Sequence, residues 1–344
     1  MVAPIQYFSA KSPLRLGFVP LADCAPIAVA QETGIFKRRG LNVEISRELG
    51  WASVRDKIAC GHLDAAQSIA GIALALGLGI NEMRCEIAVP MVLNLHGNAI
   101  TLATEISAGK IGRGEGLLHF LTNSWKKERP FTLAVTHRYS SHYTLLRSWL
   151  HRHGVISEDH VEIVFLPPSL MPRSLKAGHI DGYCCGEPWN SESIMNGTGW
   201  CPATSADIAR GHPEKILLVS GNFLREHREK SITLVASLIE ACQLCQDPDF
   251  REELIAILAQ KNYTGAPPEV LRNSLGGMFY TGIEKVSAAG FHVFHGDAVN
   301  RPSMDKASWV LSELRNVGTI QEGTCGSLSR IFREDLYHAA LLEF

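Results

Sequence analysis

No run of five like charges occurs in this chain of 344 residues, and its 33 basic residues nearly balance 35 acidic ones, leaving a formal net charge of -2. The concentrated positive surface needed for direct binding to nucleic acid or to an anionic membrane is therefore excluded. There is also no unbroken run of about eighteen apolar residues, the length a membrane-spanning helix requires. A Cys-x-x-Cys pair occurs once, at Cys242 and Cys245, with no second pair and no histidine at ligand spacing, so no structural metal site is expected. GxSxG, HExxH, a phosphate-cradling P-loop and a GxGxxG opening a helix are all missing, which removes the common catalytic and nucleotide-binding signatures, and no cofactor is expected. The cysteines number nine, an odd count, and Cys184 adjoins Cys185, a pattern that suits reduced thiols better than a disulfide framework. Met1 to Ser12 carry no basic segment before Lys11 and no seven-residue apolar stretch, so a secretory leader is not expected and the cytoplasm is the expected compartment.

What is present suits two α/β lobes, since 46% hydrophobic residues in a chain of this length can fill two cores. Leu14 to Pro20 reads as a strand, Ala25 to Glu32 as a helix stopped by Gly34, and Leu41 to Ser46 as a second strand, which together make a βαβ opening. Helical periodicity returns at Trp51 to Gly61, and Asp64 to Gln67 suits a buried strand end. The alternation continues to about Ala103 and predicts a parallel sheet covered on both faces. Glu105 to Pro130, with Gly109, Gly112, Gly114 and Gly116, reads as the passage into a second lobe. There Phe131 to Thr136 predicts a strand, Ser141 to His151 a helix and Val161 to Leu166 another strand. The segment Lys57 to Ala65 (KIACGHLDA) is echoed by Ser174 to Gly182 (SLKAGHIDG), so the two lobes are expected to share an architecture. Helical stretches at Ile232 to Gln246, Phe250 to Gln260 and Pro268 to Phe279 then return the chain to the first lobe. The expected division is 13–103 plus 218–344 for lobe 1 and 104–217 for lobe 2.

Several blocks, in order, carry a resemblance: Pro20-Leu21-Ala22-Asp23-Cys24-Ala25-Pro26, Gly50-Trp51, Gly97-Asn98-Ala99-Ile100, Ser141-His142, Pro167-Pro168, Gly186-Glu187-Pro188-Trp189-Asn190, His212-Pro213-Glu214-Lys215 and Phe332-Arg333-Glu334-Asp335-Leu336-Tyr337. Together the chain resembles the NrtA/CmpA-like nitrate- and bicarbonate-binding receptors of ABC importers and their cytosolic relatives. The resemblance implies a type II periplasmic-binding-protein fold, in which two α/β lobes with two crossover connections hold a ligand in the cleft. It also implies a nitrate site formed by Trp51, Gly97, Asn98, His142 and Lys215, with Asn98 standing where the transporter receptors have Gln. With no leader expected, the chain is most similar to the NasS-type nitrate and nitrite sensors, which hold a NasT-type RNA-binding antiterminator inactive until ligand arrives. The alternative is the substrate-binding receptor of a nitrate ABC importer.

The chemistry fits such an anion. Nitrate accepts hydrogen bonds and donates none, so its site needs N–H donors and a balancing positive charge, with no exposed carboxylate. Lys215 can supply the charge, Asn98 and His142 the donors, and Trp51 and Ser141 stand at predicted helix starts with free backbone N–H groups. Lys215 also leaves the hydroxyl of bicarbonate without an acceptor, which favours nitrate or nitrite. Each residue has an ordinary reading as well: Trp51 as packing beside a glycine, His142 as one of fourteen histidines, Lys215 as a solvated surface lysine, Asn98 as a turn residue. Glu187-Pro188-Trp189 reads as a structural corner at the hinge or cleft rim. Tyr183-Cys184-Cys185-Gly186 leaves open a remote enzymatic reading, similar to a thiamine-precursor synthase that uses a cysteine and histidine cluster.

Overall fold

A computed structural model of the chain describes residues 12–80, 84–125, 128–288, 290–321, 323 and 326–344. The opening is the expected one: strand β1 (Leu14–Phe18), helix Ala25–Glu32 and strand β2 (Val43–Arg47). Pro26 stands in the first turn of that helix, where its missing N–H costs nothing, and Gly34 at φ 72 turns the chain just past its end. Helix Trp51–Ala59 leads to β3 (Ala65–Ile69), and the wholly apolar helix Ala70–Leu78 leads to β4 (Ile87–His96). Next come β5 (Asn98–Ala103), β6 (Phe131–Val135), β7 (Val161–Phe165), β8 (Gly182–Gly186), β9 (Gly199–Thr204) and β10 (Pro213–Ser220). Three short strands, β11 (Met278–Tyr280), β12 (Lys285–Ser287) and β13 (His292–Val293), lie among the C-terminal helices.

Two main sheets result, one per lobe, beside a two-stranded antiparallel ribbon of β11 and β12. The first runs in the order β13-β4-β10-β3-β1-β2 and the second in the order β7-β6-β8-β5-β9. β1 pairs in parallel with β2 and β3, and β6 with β7 and β8, so each lobe contains the expected parallel unit. The all-parallel expectation is corrected: β10 runs antiparallel to β3 and β4, and β5 runs antiparallel to β8 and β9. β10 and β5 are the strands by which the chain enters each lobe from the other, and the short edge strand β13 also runs antiparallel to β4. The fold is the mixed α/β periplasmic-binding-protein architecture.

Sheet membership also moves the lobe boundaries. β5 belongs to the second sheet although 98–103 was expected in lobe 1, and β10 belongs to the first although 213–217 was expected in lobe 2. The first crossing is made at His96 and Gly97, both left-handed (φ 58 and φ 91), between two fully extended, buried strands. The sequence gives no compositional break there, because apolar residues continue on both sides of the turn. The glycine-rich 105–130 segment lies wholly beyond this crossing.

The internal echo is structural. Asp64 accepts from the Arg15 backbone N–H (2.8 Å) and from its guanidinium (2.7 Å), and Asp181 accepts from the Thr132 N–H (2.9 Å) and from the Arg129 guanidinium (2.5 Å). The aspartate after Gly-His-Leu thus clamps the start of β1, and the one after Gly-His-Ile clamps the start of β6. Gly61 and Gly178, both at φ 70, make the same turn before each aspartate.

The lobes are closed on each other. Ala22 N–H donates to the Glu187 carbonyl (2.7 Å) and the Trp189 indole N–H donates to the Pro20 carbonyl (3.1 Å). The Glu-Pro-Trp segment is therefore the cleft rim, where a cis peptide joins Glu187 to Pro188. Gly71 approaches so closely that an added Cβ would lie 2.0 Å from the Tyr139 carbonyl oxygen.

Candidate functional site: a buried lysine between two carboxylates

Trp51 and Ser141 are the first residues of helices Trp51–Ala59 and Ser141–Arg152, one from each lobe. Ser140 caps the second helix by accepting from the Tyr143 N–H (3.2 Å), which fixes His142 in its first turn. Asn98 opens β5 opposite Gly186, and Lys215 lies on β10 between Ile69 of β3 and Asn94 of β4. Trp51, Asn98, His142 and Lys215 are all buried, Lys215 at 0% exposure, so the reading of Lys215 as a solvated lysine is overturned.

The four are joined by contacts. Lys215 Nζ stands 5.4 Å from the centre of the Trp51 ring. It is also 2.8 Å from Asp23 Oδ2 and 2.5 Å from Glu214 Oε1. Glu214 Oε1 accepts from the Ser141 hydroxyl (2.8 Å) and lies 3.7 Å from His142 Nε2. His142 Nε2 is 3.0 Å from Asn98 Oδ1, and its Nδ1 is 2.8 Å from Thr136 Oγ1. Both histidine nitrogens are therefore engaged. With the Thr136 hydroxyl donating to Nδ1, Nε2–H donates to the Asn98 carbonyl oxygen, and the Asn98 NH₂ is turned free.

That arrangement leaves two buried donors without a partner, Asn98 Nδ2 and Trp51 Nε1. Such orphans are uncommon and costly, at about 1–3 kcal/mol each. Both belong to residues of the cluster gathered around Lys215. His142 is then not itself a free donor, as the resemblance implied, but the group that orients the Asn98 amide. Gly97 sits beside Asn98 at the crossing, with its carbonyl accepting from the Glu187 N–H (3.0 Å).

Sequence reasoning missed Asp23 and Glu214 as members of the site. Each stands in a block that carried the resemblance, but nothing in the sequence places Asp23 against residue 215. Their presence corrects the expectation that carboxylates are kept away: one ammonium faces two carboxylates. An acceptor for the hydroxyl of bicarbonate therefore lies within the site, and Lys215 alone does not decide between anions.

Burial and pairing set the charges. Burial pushes Asp23 up to about 6, a rise that the adjoining Lys215 only partly offsets. Burial is the largest influence on Glu214 and acts to raise it, but the Lys215 ammonium in contact and the nearby His142 and His212 together outweigh it and hold the carboxyl down at about 2. Lys215 is raised, since the two carboxylates more than offset the cost of burying its charge. His142 and His212, buried and near that ammonium, are depressed to about 3 and about 4 and so stay neutral.

Cys184 and Cys185 lie in β8, buried, with thiols pushed well above their ordinary value by burial, so neither is poised as a nucleophile. Cys242 and Cys245 are free and buried in helix Arg228–Gln246. Among the described residues no cluster of histidine, cysteine and acidic side chains could hold a metal, and no helix is long and apolar enough to cross a membrane.

Comparison with known proteins agrees with the geometry. The profile of the NMT1-like family matches residues 9–259. The chain is 34% identical over 333 residues to the nitrate import ATP-binding protein NrtC of Synechocystis sp., covering 95% of this chain and 49% of that protein. It thus spans about half the length of the ATP-binding relatives it matches. It is 26% identical over 341 residues to the nitrate/nitrite binding protein NrtA of Synechococcus elongatus, covering 95% of this chain and 77% of that protein. The crystal structure of the periplasmic nitrate-binding protein NrtA from Synechocystis superposes with a TM-score of 0.89 at 23% identity, covering 96% of this chain and 89% of that one. The relatives whose length it largely spans, NrtA among them, are named as binding proteins.

Proposed function

The chain belongs to the NMT1-like family, and from that premise we propose that it binds nitrate or nitrite in the closed cleft and acts as a cytosolic sensor. On this reading it holds a NasT-type RNA-binding antiterminator until the anion arrives. The observation that carries the anion reading is the pair of orphan donors, Trp51 Nε1 and Asn98 Nδ2, beside the buried cation Lys215. A planar anion accepting from all three replaces two unsatisfied groups with charge-assisted hydrogen bonds of about 1.5–3 kcal/mol each. Free thiols at every described cysteine agree with a reducing compartment.

The sensing step is linkage. Ligand that binds only between closed lobes shifts the chain to the closed form, and a partner that fits the open form is released. A tenfold loss of partner affinity takes about 1.4 kcal/mol of coupling. A second reading, a ligand-binding component of a nitrate importer, is favoured by the names of the relatives, NrtA and NrtC.

Titration calorimetry with nitrate, nitrite and bicarbonate, on the chain and on Lys215→Glu, tests the anion site. The expected outcome is heat at micromolar nitrate or nitrite that is lost in the variant, with folding checked by circular dichroism. A folded protein giving no heat with any of the three overturns the reading. Co-purification of an RNA-binding partner that nitrate elutes supports the sensor, whereas a permease or ATPase partner supports the importer.

A further inference from the structure

We propose that anion binding in this cleft is coupled to the uptake of one proton, and that the proton is carried by Asp23, which also positions Lys215. The proposal rests on the anion reading above and specifies how that site keeps its charge in balance.

The premise is a charge count in a dry place. Lys215, Asp23 and Glu214 are within 2.8 Å and 2.5 Å of one another through Nζ, and all three are buried at 0–1% exposure. With His142 and His212 neutral, one positive charge answers two negative ones. The empty cluster already carries a net negative charge. A nitrate ion seated on Lys215 adds another beside two carboxylates, where water cannot screen it. Either an ammonium held by two carboxylates must give one up, or one carboxylate must lose its charge.

The surroundings choose Asp23. Facing it are Lys215 and Glu214 from β10, the neutral amide of Gln67 from β3, whose Nε2 donates to Oδ1 (2.5 Å), and the protonated thiols of Cys24 beside it and Cys185 from β8. Gln67 is itself fixed, with Oε1 accepting from the Val19 N–H (3.0 Å). Asp23 therefore has one charged donor and little else to hold its charge, and it already sits near 6. Glu214 has more support, since Ser141 donates to the oxygen that Lys215 touches. It sits near 2, far from protonation. Drawing the Lys215 ammonium toward the incoming anion weakens the one interaction that keeps Asp23 ionised. No bond is made or broken beyond one O–H: the proton comes from solvent or buffer as the lobes close, Asp23 is a neutral acid in the bound state, and the proton returns to solvent when the anion leaves.

The test is calorimetry with potassium nitrate at pH 7.5 in phosphate and in Tris, two buffers of very different ionisation heat. The slope of apparent enthalpy against buffer enthalpy gives the protons taken up. The expected value is roughly half to one proton, with Kd weakening up to about tenfold per pH unit between 7 and 9. Asp23→Asn, close in shape to the neutral acid, is expected to change nitrate affinity, because it alters the hold on Lys215, and to leave the remaining binding with neither buffer dependence nor pH dependence. Wild-type nitrate binding with equal enthalpy in both buffers and a flat Kd overturns proton coupling and leaves the anion reading intact. Undiminished proton uptake in Asp23→Asn overturns the assignment to Asp23. No nitrate heat at all overturns the anion reading, and this proposal with it.

Discussion

Trp51 carries an indole N–H into a buried site with nothing to accept it, and on the anion reading proposed above a ligand oxygen is its partner. Trp51→Phe keeps an aromatic ring at this buried position beside Lys215 and removes that donor together with the larger indole ring system. The expected loss is about 1.5 kcal/mol, roughly tenfold in nitrate Kd by calorimetry, with an unchanged circular dichroism spectrum. Equal affinity in the variant would show that the indole N–H does not reach the anion. Trp51, Asn98, His142 and Lys215 each stand in an ordered block of the sequence, and the structure brings the four near one another. The division of labour among them was not legible. That His142 turns the Asn98 amide, and that Asp23 and Glu214 hold Lys215, depends on which atoms meet when two lobes close. Residue type and spacing along the chain say nothing of that.

At the level of elements, the passage from β4 to β5 controls how the lobes are joined. His96, itself left-handed, has Nε2 2.6 Å from the Gly211 N–H and Nδ1 2.8 Å from the Gly290 carbonyl oxygen, so one ring ties the first crossing to the second and to the segment before β13. Gly97 follows at φ 91, and a Cβ there would lie 2.4 Å from His292 Cε1 and 2.6 Å from its Nδ1. Gly97→Ala combines a left-handed side chain with a displaced, buried imidazole. The expected cost is about 1–3 kcal/mol, read as a lower urea midpoint, and an unchanged midpoint would mean the crossing has slack. Helix and strand positions away from this crossing were legible to within a few residues, because period and capping act locally. The lobe boundaries were not, since two buried apolar strands meeting at a glycine look like one. The terminal part of the Pro268 to Phe279 stretch was also misread. The helix stops at Leu275, and Phe279 instead lies in β11, packed on Phe291 with ring centres 4.9 Å apart.

For the whole molecule, buried titrating groups decide the response to acid. Burial, first among the causes, depresses His137 and His212 to about 4 and His142 and His292 to about 3, against an ordinary value of 6.5. Below pH 6.5 the unfolded chain takes up protons that these four refuse, so each costs stability as pH falls. Burial raises Asp23 to about 6 and Glu187 to about 7, and these two act in the opposite sense, holding protons in the fold that the unfolded chain releases above its ordinary carboxyl values. Four groups outweigh two, each at up to about 1.4 kcal/mol per pH unit. Thermal midpoints are expected to fall between pH 6 and pH 4.5, and a rise over that window would contradict the neutral-histidine assignment.

The place of β10 in the first sheet has a consequence for the newborn chain. The strands of lobe 2, Asn98 to Thr204, form one continuous stretch, whereas β3 and β4 have no shared neighbour until Pro213 to Ser220 is made and slides between them. On the ribosome, lobe 2 has all its strands before the sheet of lobe 1 can close. Lys215 rides on the closing strand, so the cleft gains its cation only when the last gap in that sheet is filled. A prematurely ended chain thus has no means of imitating the ligand-bound form.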